Sequence, residues 1–383
     1  MHAEELYRIR FSEAQGRRGD SRVGLLRNRT GVPLFLMYLE SVSDPMELQC
    51  NSVESLEQFC SGLQSAQDRY WMLRTRSFFE EGGKLAQFAV SPIKKSGSIL
   101  DEMIGTQRGF KRGSGLSLIK KSVEFADLVA VPQARDMLNL EESKRFHECL
   151  FAATRETESF FALVEPPKRL DPHEAVSWAK SLTCPDAAAY YPEVIDSGKE
   201  GLPPAEISVL PAVAGLYQCA DEENGIAELP TLKVCQSQLK PRMRLTPSWQ
   251  MELLATRLNS VVFAPGLGEK VRVWGGHTLT RAPETEFALI PVRRTLRALS
   301  EAVQSIAEGY VLEPLAVDIV TDIEYRIHSF LEEHRNIFDP FTKSPFDVRA
   351  SRLKGRDSDG IEINCRFKLS RCVQELKLNF GVS

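Results

Sequence analysis

Phe160-Phe161-Ala162-Leu163-Val164 and Ala187-Ala188-Ala189-Tyr190-Tyr191 are short apolar runs, and the segment between them, His173 to Leu182, has helical character. The first run ends at Pro166-Pro167, as a buried strand of four to eight residues should. The same alternation continues upstream. A charged amphipathic helix is predicted at 141–156, a strand from Leu128 to Pro132, and helical character from Leu116 to Lys121. Strands separated by helices imply an α/β layer with a mainly parallel sheet, because a parallel pair needs a crossover long enough to hold a helix.

Toward the amino terminus, Gly31 to Leu39 reads as a buried strand through Val32, Leu34, Leu36 and Met37. Asn51 with Glu54 makes a capping-box-like start to a short helix that turns Val53, Leu56, Phe59 and Cys60 inward and stops at Gly62. An apolar helix around Trp71 to Phe79 ends at Gly82-Gly83, and Lys84 to Val90 follows as a strand. The first 33 residues read as an arm, with Leu6, Ile9 and Phe11 in a short extended piece ahead of a polar, basic stretch. Downstream, Gly198 to Pro211 reads as a loop.

A second domain is expected from about residue 245. Pro291 suits the first position of a helix whose Val292, Leu296, Leu299, Val303 and Ile306 form one apolar stripe. A further helix at about 316–335 buries Ala316, Ile319, Ile323, Ile327 and Phe330. The tail alternates, with Ile361, Ile363, Cys365, Phe367 and Leu369 on one face, and Leu376, Leu378 and Phe380 repeat the pattern. The expected organisation is an arm at 1–33, an α/β domain at 34–244, an α+β domain at 245–358 and a strand arm at 359–383.

Composition bounds the function. The chain has 383 residues, 43% hydrophobic and 26% charged, with a net charge of -4. Its pI of about 6.0 gives no basic footprint for nucleic acid. No apolar run reaches the roughly 18 residues of a membrane span. The opening Met1-His2-Ala3-Glu4-Glu5-Leu6 is acidic and unlike a secretory signal, so a soluble chain made in the cytoplasm is expected. The eight cysteines lack zinc-site spacing and read as buried free thiols. The six histidines place no ligand pair on one helical face. No Gly-x-Ser-x-Gly elbow anchors a hydrolase nucleophile. Gly266-Leu267-Gly268-Glu269-Lys270 is followed by Val271 where a phosphate loop needs Ser or Thr, and reads as a tight turn. The basic, glycine-rich run 105–115 precedes a helix and suits a phosphate, but it lacks a strong preceding strand and an acidic ribose partner. It reads as a surface loop, with a small nucleotide-binding α/β enzyme as the rival interpretation. No catalytic, cofactor-binding or metal-binding residue is expected.

Two arrangements leave alternatives open. Arg293 and Arg294 fall in the first turn of the helix begun at Pro291, and Arg297 lies one turn on, against the helix macrodipole. They either pair with acids such as Glu284, Glu286 or Glu301, or form a basic patch for an acidic partner. The terminal strand either pairs within its own domain or adds an edge to a neighbour's sheet.

From about residue 31 to the end, the chain resembles contractile phage-tail sheath proteins. Phe78-Phe79-Glu80-Glu81-Gly82-Gly83 is similar to the family's Phe-Phe-x-Asn-Gly-Gly turn, and Gly113-Ser114-Gly115-Leu116 to its Gly-x-Gly-Leu helix. Leu128 to Pro132 and Tyr190-Tyr191-Pro192 fall where the family has strands. Pro211-Ala212-Val213-Ala214-Gly215-Leu216-Tyr217 with Asp221 and Asn224-Gly225 resembles a further family segment. The corner with Arg272, Trp274, Gly275 and Leu279 is the most specific piece. His277 stands where Arg is common, Glu81 and Asn224 depart from the usual Asn and Arg, and the Pro-Gly-Val-Tyr opening is absent.

The resemblance implies hexameric rings stacked helically around an inner tube, assembled extended and contracting to drive the tube into a target. It implies an outer α/β domain and an inner C-terminal domain. Partners would be further copies of the chain, the inner tube protein, and baseplate and terminator or cap proteins. Leu6, Ile9 and Phe11 would belong to one inter-subunit arm. Ile361, Ile363, Cys365, Phe367, Leu369, Leu376, Leu378 and Phe380 would belong to the other. Arg293, Arg294 and Arg297 would face an acidic tube. The short chain suits tailocins and extracellular injection systems, assembled in the cytoplasm and then part of a phage-tail-like particle. A minor, non-contracting paralogue at the baseplate or tube end fits the same resemblance.

Overall fold

Every residue of Pro33–Leu39 is buried, as expected of a strand covered on both faces. The computed structural model describes residues 7–8, 30–94, 97–105, 113–121, 126–157, 159–198, 203–229, 235–264, 270–281, 286–311, 318–352 and 360–370. In chain order the strands are β1 (Tyr7–Arg8), β2 (Pro33–Leu39), β3 (Met46–Cys50), β4 (Ala86–Pro92), β5 (Leu128–Ala130), β6 (Phe161–Val164) and β7 (Ala187–Tyr191). They continue as β8 (Val194–Asp196), β9 (Ala205–Ile207), β10 (Leu239–Pro241), β11 (Leu258–Phe263), β12 (Val271–Trp274), β13 (Phe346–Arg352) and β14 (Ile361–Phe367).

The main sheet has the order β12-β11-β7-β6-β5-β2-β4-β3. Its inner strands from β11 to β4 are all parallel, and β3 and β12 close the edges antiparallel. The mainly parallel sheet expected from the alternation is therefore present. Side chains of β2 alternate with period two: Phe35, Met37 and Leu39 enter one core, and Leu34, Leu36 and Tyr38 the other. One core takes Phe146, Leu150 and Trp178 from the helices Leu140–Thr157 and Pro172–Ser181. The opposite core takes Leu56, Val213 and Tyr217 from Val53–Ser61 and Leu210–Asn224.

Local chemistry sets the helix ends. Asp171 and Glu174 form a reciprocal capping box with Pro172 in the first turn. In Val53–Ser61 the cap is Ser52, whose hydroxyl accepts from Ser55 N, one residue away from the expected start at Asn51. The expected loop at Gly198 to Pro211 instead contains β9 and the start of Leu210–Asn224. Pro211 sits in the first turn, where its missing N–H costs no hydrogen bond.

Two compact units result, one of residues Arg27–Arg294 and one of Met1–Leu26 with Thr295–Ser383. The expected boundary near 245 falls inside the first unit. Leu258, Asn259 and Ser260 of β11 run parallel to Ala189, Tyr190 and Tyr191 of β7, so β11 and β12 extend the main sheet. In the other unit, β14 lies between β13 and β1, with Val348 and Tyr7 both opposite Cys365. The helix Ile319–Glu333 buries Ile323, Ile327 and Phe330. The His328 ring meets Phe346 at 5.2 Å, and Phe346 meets Phe338 at 5.1 Å. Ala316, expected on that helix, lies outside the described residues.

Candidate functional site

The corner after β12 is built around one carboxamide. Asn259 Nδ2 donates to Ala189 O at 3.0 Å and to His277 O at 2.9 Å, and its Oδ1 accepts from His277 N at 3.0 Å. Gly275 lets the chain approach that closely. Its φ is +128°, and a Cβ there would lie 2.5 Å from Asn259 Oδ1. Beyond it, Thr278 N donates to Ala288 O at 2.9 Å and Leu279 N to Ala187 O at 2.8 Å, while Leu279 O accepts from Cys184 N at 3.0 Å. Arg272 stacks 4.6 Å from the centre of the half-exposed Trp274 ring. His277 enters these contacts through its backbone, so an imidazole in place of the family's arginine leaves them intact. Burial, and then Arg257, lower its pKa.

The corner leads into the helix Ile290–Glu308, whose first turn is anchored by charge. Arg293 grips Asp186 with two bonds, Nε to Oδ1 at 2.7 Å and Nη2 to Oδ2 at 2.8 Å. Arg294, only 3% exposed, binds Asp221 through Nη1 at 2.9 Å and Nη2 at 2.5 Å, and reaches Asp127 at 3.1 Å. Its guanidinium lies over the Tyr217 ring at 4.8 Å, and the Tyr217 hydroxyl meets that of Tyr190 at 2.7 Å. Burial pushes Asp127 up to about 6, with Arg294 opposing and Asp221 reinforcing the shift.

Acid pairing therefore accounts for Arg293 and Arg294, through Asp186, Asp221 and Asp127 rather than the acids nearer in sequence. Of the expected tube-facing patch of Arg293, Arg294 and Arg297, burial removes Arg294. Past half-buried Arg297 the open face of the helix carries Glu301, Ser305 and Glu308. Asp127 and Asp186 were missed because their only signal is local, an acid immediately ahead of a strand. Nothing in a single sequence pairs that acid with an arginine more than 100 residues away.

The carboxyl ends of β5, β6 and β7, on the edge of the sheet where open α/β folds hold ligands, are filled by the chain itself. Arg135, past β5, lies 3.2 Å from Asp136 and 3.7 Å from Glu193, and Arg242 meets Glu193 at 2.7 Å. Glu165, past β6, accepts from Val209 N at 3.3 Å, and burial pushes its carboxyl up to about 8 against the pull of Arg135. Strand order reverses between β5 and β2. A cleft of about 250 Å³ opens there, lined by Tyr38, Glu40, Asp68, Trp71, Gln133 and Asp136 among others. Gln133 bridges the Tyr38 backbone, accepting from N at 2.6 Å and donating to O at 2.8 Å. The lining has three carboxylates and no lysine or arginine, the wrong sign for a phosphate. Of the rival loop at 105–115, residues 106–112 lie outside the described residues.

No protein-family model and no curated protein matches the chain. Solved structures do. The anti-feeding prophage helical sheath in its contracted state has a TM-score of 0.70 at 16% identity, covering 98% of this chain and 100% of that one. The sheath of the PVC extracellular contractile injection system, also contracted, has a TM-score of 0.67 at 15% identity, covering 98% of both chains. The fold is that of contractile sheath proteins. A sheath tail protein from Listeria innocua shares it at 12% identity, with a TM-score of 0.61 over 91% of this chain and 94% of that one.

Within this sheath fold the terminal strand pairs at home. Ile363 and Cys365 are buried, β14 pairs with β13 from Ile361 to Phe367, and Leu369 bridges to Phe338. Of the expected C-terminal arm, Ile361, Ile363, Cys365 and Phe367 thus have β13 as a partner in their own chain, and Leu369 has Phe338. Leu376, Leu378 and Phe380, with Leu6, Ile9 and Phe11 of the expected N-terminal arm, lie outside the described residues. Among the described residues no helix is long and apolar enough to cross a membrane.

Proposed function

We propose that this chain is a structural subunit of a contractile tail sheath and not an enzyme. It polymerises as stacked hexameric rings around an inner tube and contracts to drive that tube into a target. The observation that carries the reading is the extent of the likeness, 98% of this chain against the whole of a subunit from a contracted helical sheath. The self-filled carboxyl ends of β5, β6 and β7 support it. Arg135, Glu193 and Arg242 fill the space past β5 and β7, and the cleft at the switch point between β5 and β2 offers three carboxylates and no cation for a phosphate-bearing substrate.

Open-ended growth needs heterologous contacts, with different surfaces on the two sides of one subunit. Contraction is then a switch between two sets of such contacts, made by units that move without repacking their cores. Partners in this reading are other copies of the chain, the inner tube protein, and baseplate and cap proteins. Assembly takes place in the cytoplasm and the product is a phage-tail-like particle. The terminal segments containing Leu6, Ile9 and Phe11, and Leu376, Leu378 and Phe380, act as the tethers between subunits.

A second reading, a non-contracting adaptor at the baseplate, is favoured by one observation. A chain of the six-fold symmetrised anti-feeding prophage baseplate matches with a TM-score of 0.70 at 16% identity. Negative-stain electron microscopy of the purified chain, alone and with its inner-tube protein, separates the readings. Long hollow helical tubes support the sheath, and single rings that do not stack support the adaptor. Particles that never associate under either condition reject both.

A further inference from the structure

The helix Pro247–Ala255 runs into β11 through an arginine held where glycine is usual. Arg257 has a φ of +64°, the left-handed conformation that closes many helices and that strains a residue with a Cβ. Its backbone finishes the helix: Arg257 N donates to Leu254 O at 3.0 Å, and Thr256 N to Glu252 O at 3.0 Å. The guanidinium takes no part in that cap. It is half-buried, and its Nη1 is shut off from solvent with no hydrogen-bond partner among the described residues. Burial lowers its pKa, and no carboxylate among the described residues is near enough to oppose the shift. Arg293 and Arg294, by contrast, each meet an aspartate. A buried donor without a partner carries the full loss of its hydration, so Arg257 is incomplete as it stands.

His277 brings a second unpaired donor to the same place. The Asn259 carboxamide, two residues past Arg257, clamps His277 through its backbone N and O and leaves the imidazole free. The imidazole Nδ1 is also buried and without a hydrogen-bond partner among the described residues. Arg257 is close enough to hold the His277 pKa further below its ordinary value than burial alone does. A neutral imidazole can carry its one proton on Nδ1 and donate it. A guanidinium offers parallel N–H groups that match the oxygens of a carboxylate or a phosphate.

We infer that Arg257 and His277 form a binding site for a single oxyanion, gripped by the guanidinium and completed by the imidazole N–H. The backbone strain at Arg257 fixes a cation at this point, and the bound anion offsets it. The anion is either a free phosphate-type ion or an acidic side chain of a second copy of this chain, since both present the same oxygens. The site lies within the Arg27–Arg294 unit and needs neither rings nor tubes, so it stands apart from the sheath reading.

The test follows the melting temperature of the full chain against inorganic phosphate, with sodium chloride at matched ionic strength as the control. A saturable rise with phosphate, beyond that with chloride, is expected. Arg257→Asn, whose new side chain tolerates a left-handed φ, should abolish the rise. His277→Phe should weaken phosphate binding roughly tenfold, as losing one hydrogen bond to a charged group implies. No rise, or the same rise in both variants, overturns the proposal. Without phosphate, Arg257→Asn should melt within about 2 °C of the unmodified chain or above it. A larger fall would mean that the guanidinium is already held within the chain, which also overturns the site. Sedimentation then separates the two sources, and either result supports the site. Where a second copy supplies the acid, Arg257→Asn weakens self-association and phosphate competes with it. Where a free ion is the ligand, neither changes self-association. A chain that never associates still shows the phosphate effect, so the sheath reading can fail alone.

Discussion

Arg294 carries its charge into the interior, and Asp221 is its main partner there. A buried ion pair that loses one member leaves the other uncompensated, at a cost of about 3–5 kcal/mol. Asp127 still lies 3.1 Å away, which places Asp221→Ala at the lower end. The expected outcome is a fall of about 8 °C in the melting temperature of the Arg27–Arg294 unit. A calorimetric scan of this variant beside the unmodified chain checks it, and a shift under 2 °C, roughly the effect of a surface change, refutes the buried role. Glu165 gives the complementary pH prediction. Its folded pKa, about 8, lies above its ordinary value of 4.5, so in that interval the folded state binds more protons than the unfolded state. Its contribution to stability therefore falls as pH rises from about 4.5 to about 8. Glu165→Gln removes that penalty, and should melt higher relative to the unmodified chain at pH 8.5 than at pH 5, by roughly 5 °C or more. Equal differences at both pH values would show that Glu165 is not held in a charge-averse site.

Elements were more legible in the sequence than the contacts between them, for a physical reason. The strands Phe161–Val164 and Ala187–Tyr191 and the helices Leu140–Thr157 and Ile290–Glu308 declare themselves by local periodicity. The β9 strand does not, since its three residues depend on pairing with β8 and are flanked by proline. The fate of Ile361–Phe367 was equally undetermined, because an alternating strand is the same object whether its partner is β13 or a neighbouring molecule. The corner at Gly275 was visible as a motif, whereas Asn259, the group that makes glycine necessary, was not. Gly275→Ala tests that link. The added methyl meets the Asn259 carboxamide and a φ of +128°, so a cost of about 1–3 kcal/mol is expected, partly relieved in Gly275→Ala/Asn259→Ala. Strictly additive losses in the double variant, measured by denaturant unfolding, would mean the two residues do not meet.

At the scale of the whole molecule, a subunit of a contractile polymer needs rigid bodies and separable contacts. The rigid part is well provided: two dense cores flank one sheet, and charged anchors at Arg293 and Arg294 sit inside the larger unit. With β14 paired to β13, the proposed C-terminal tether is the sequence beyond it, alongside the amino-terminal segment with Leu6, Ile9 and Phe11. Residues 371–383, with Leu376, Leu378 and Phe380 alternating, fit that role in the proposed sheath. Chain termini are usually dispensable for a domain's own stability. The unassembled deletion variant should therefore melt within about 2 °C of the full chain. Its assembly into tubes, scored by sedimentation and microscopy with the inner-tube protein present, should be lost. Tubes of normal length from the deleted chain would reject the tail as a tether and leave the amino-terminal segment and side-chain contacts to hold the lattice. A large drop in melting temperature would instead make the tail part of the fold, and the loss of tubes would then carry no information about tethering.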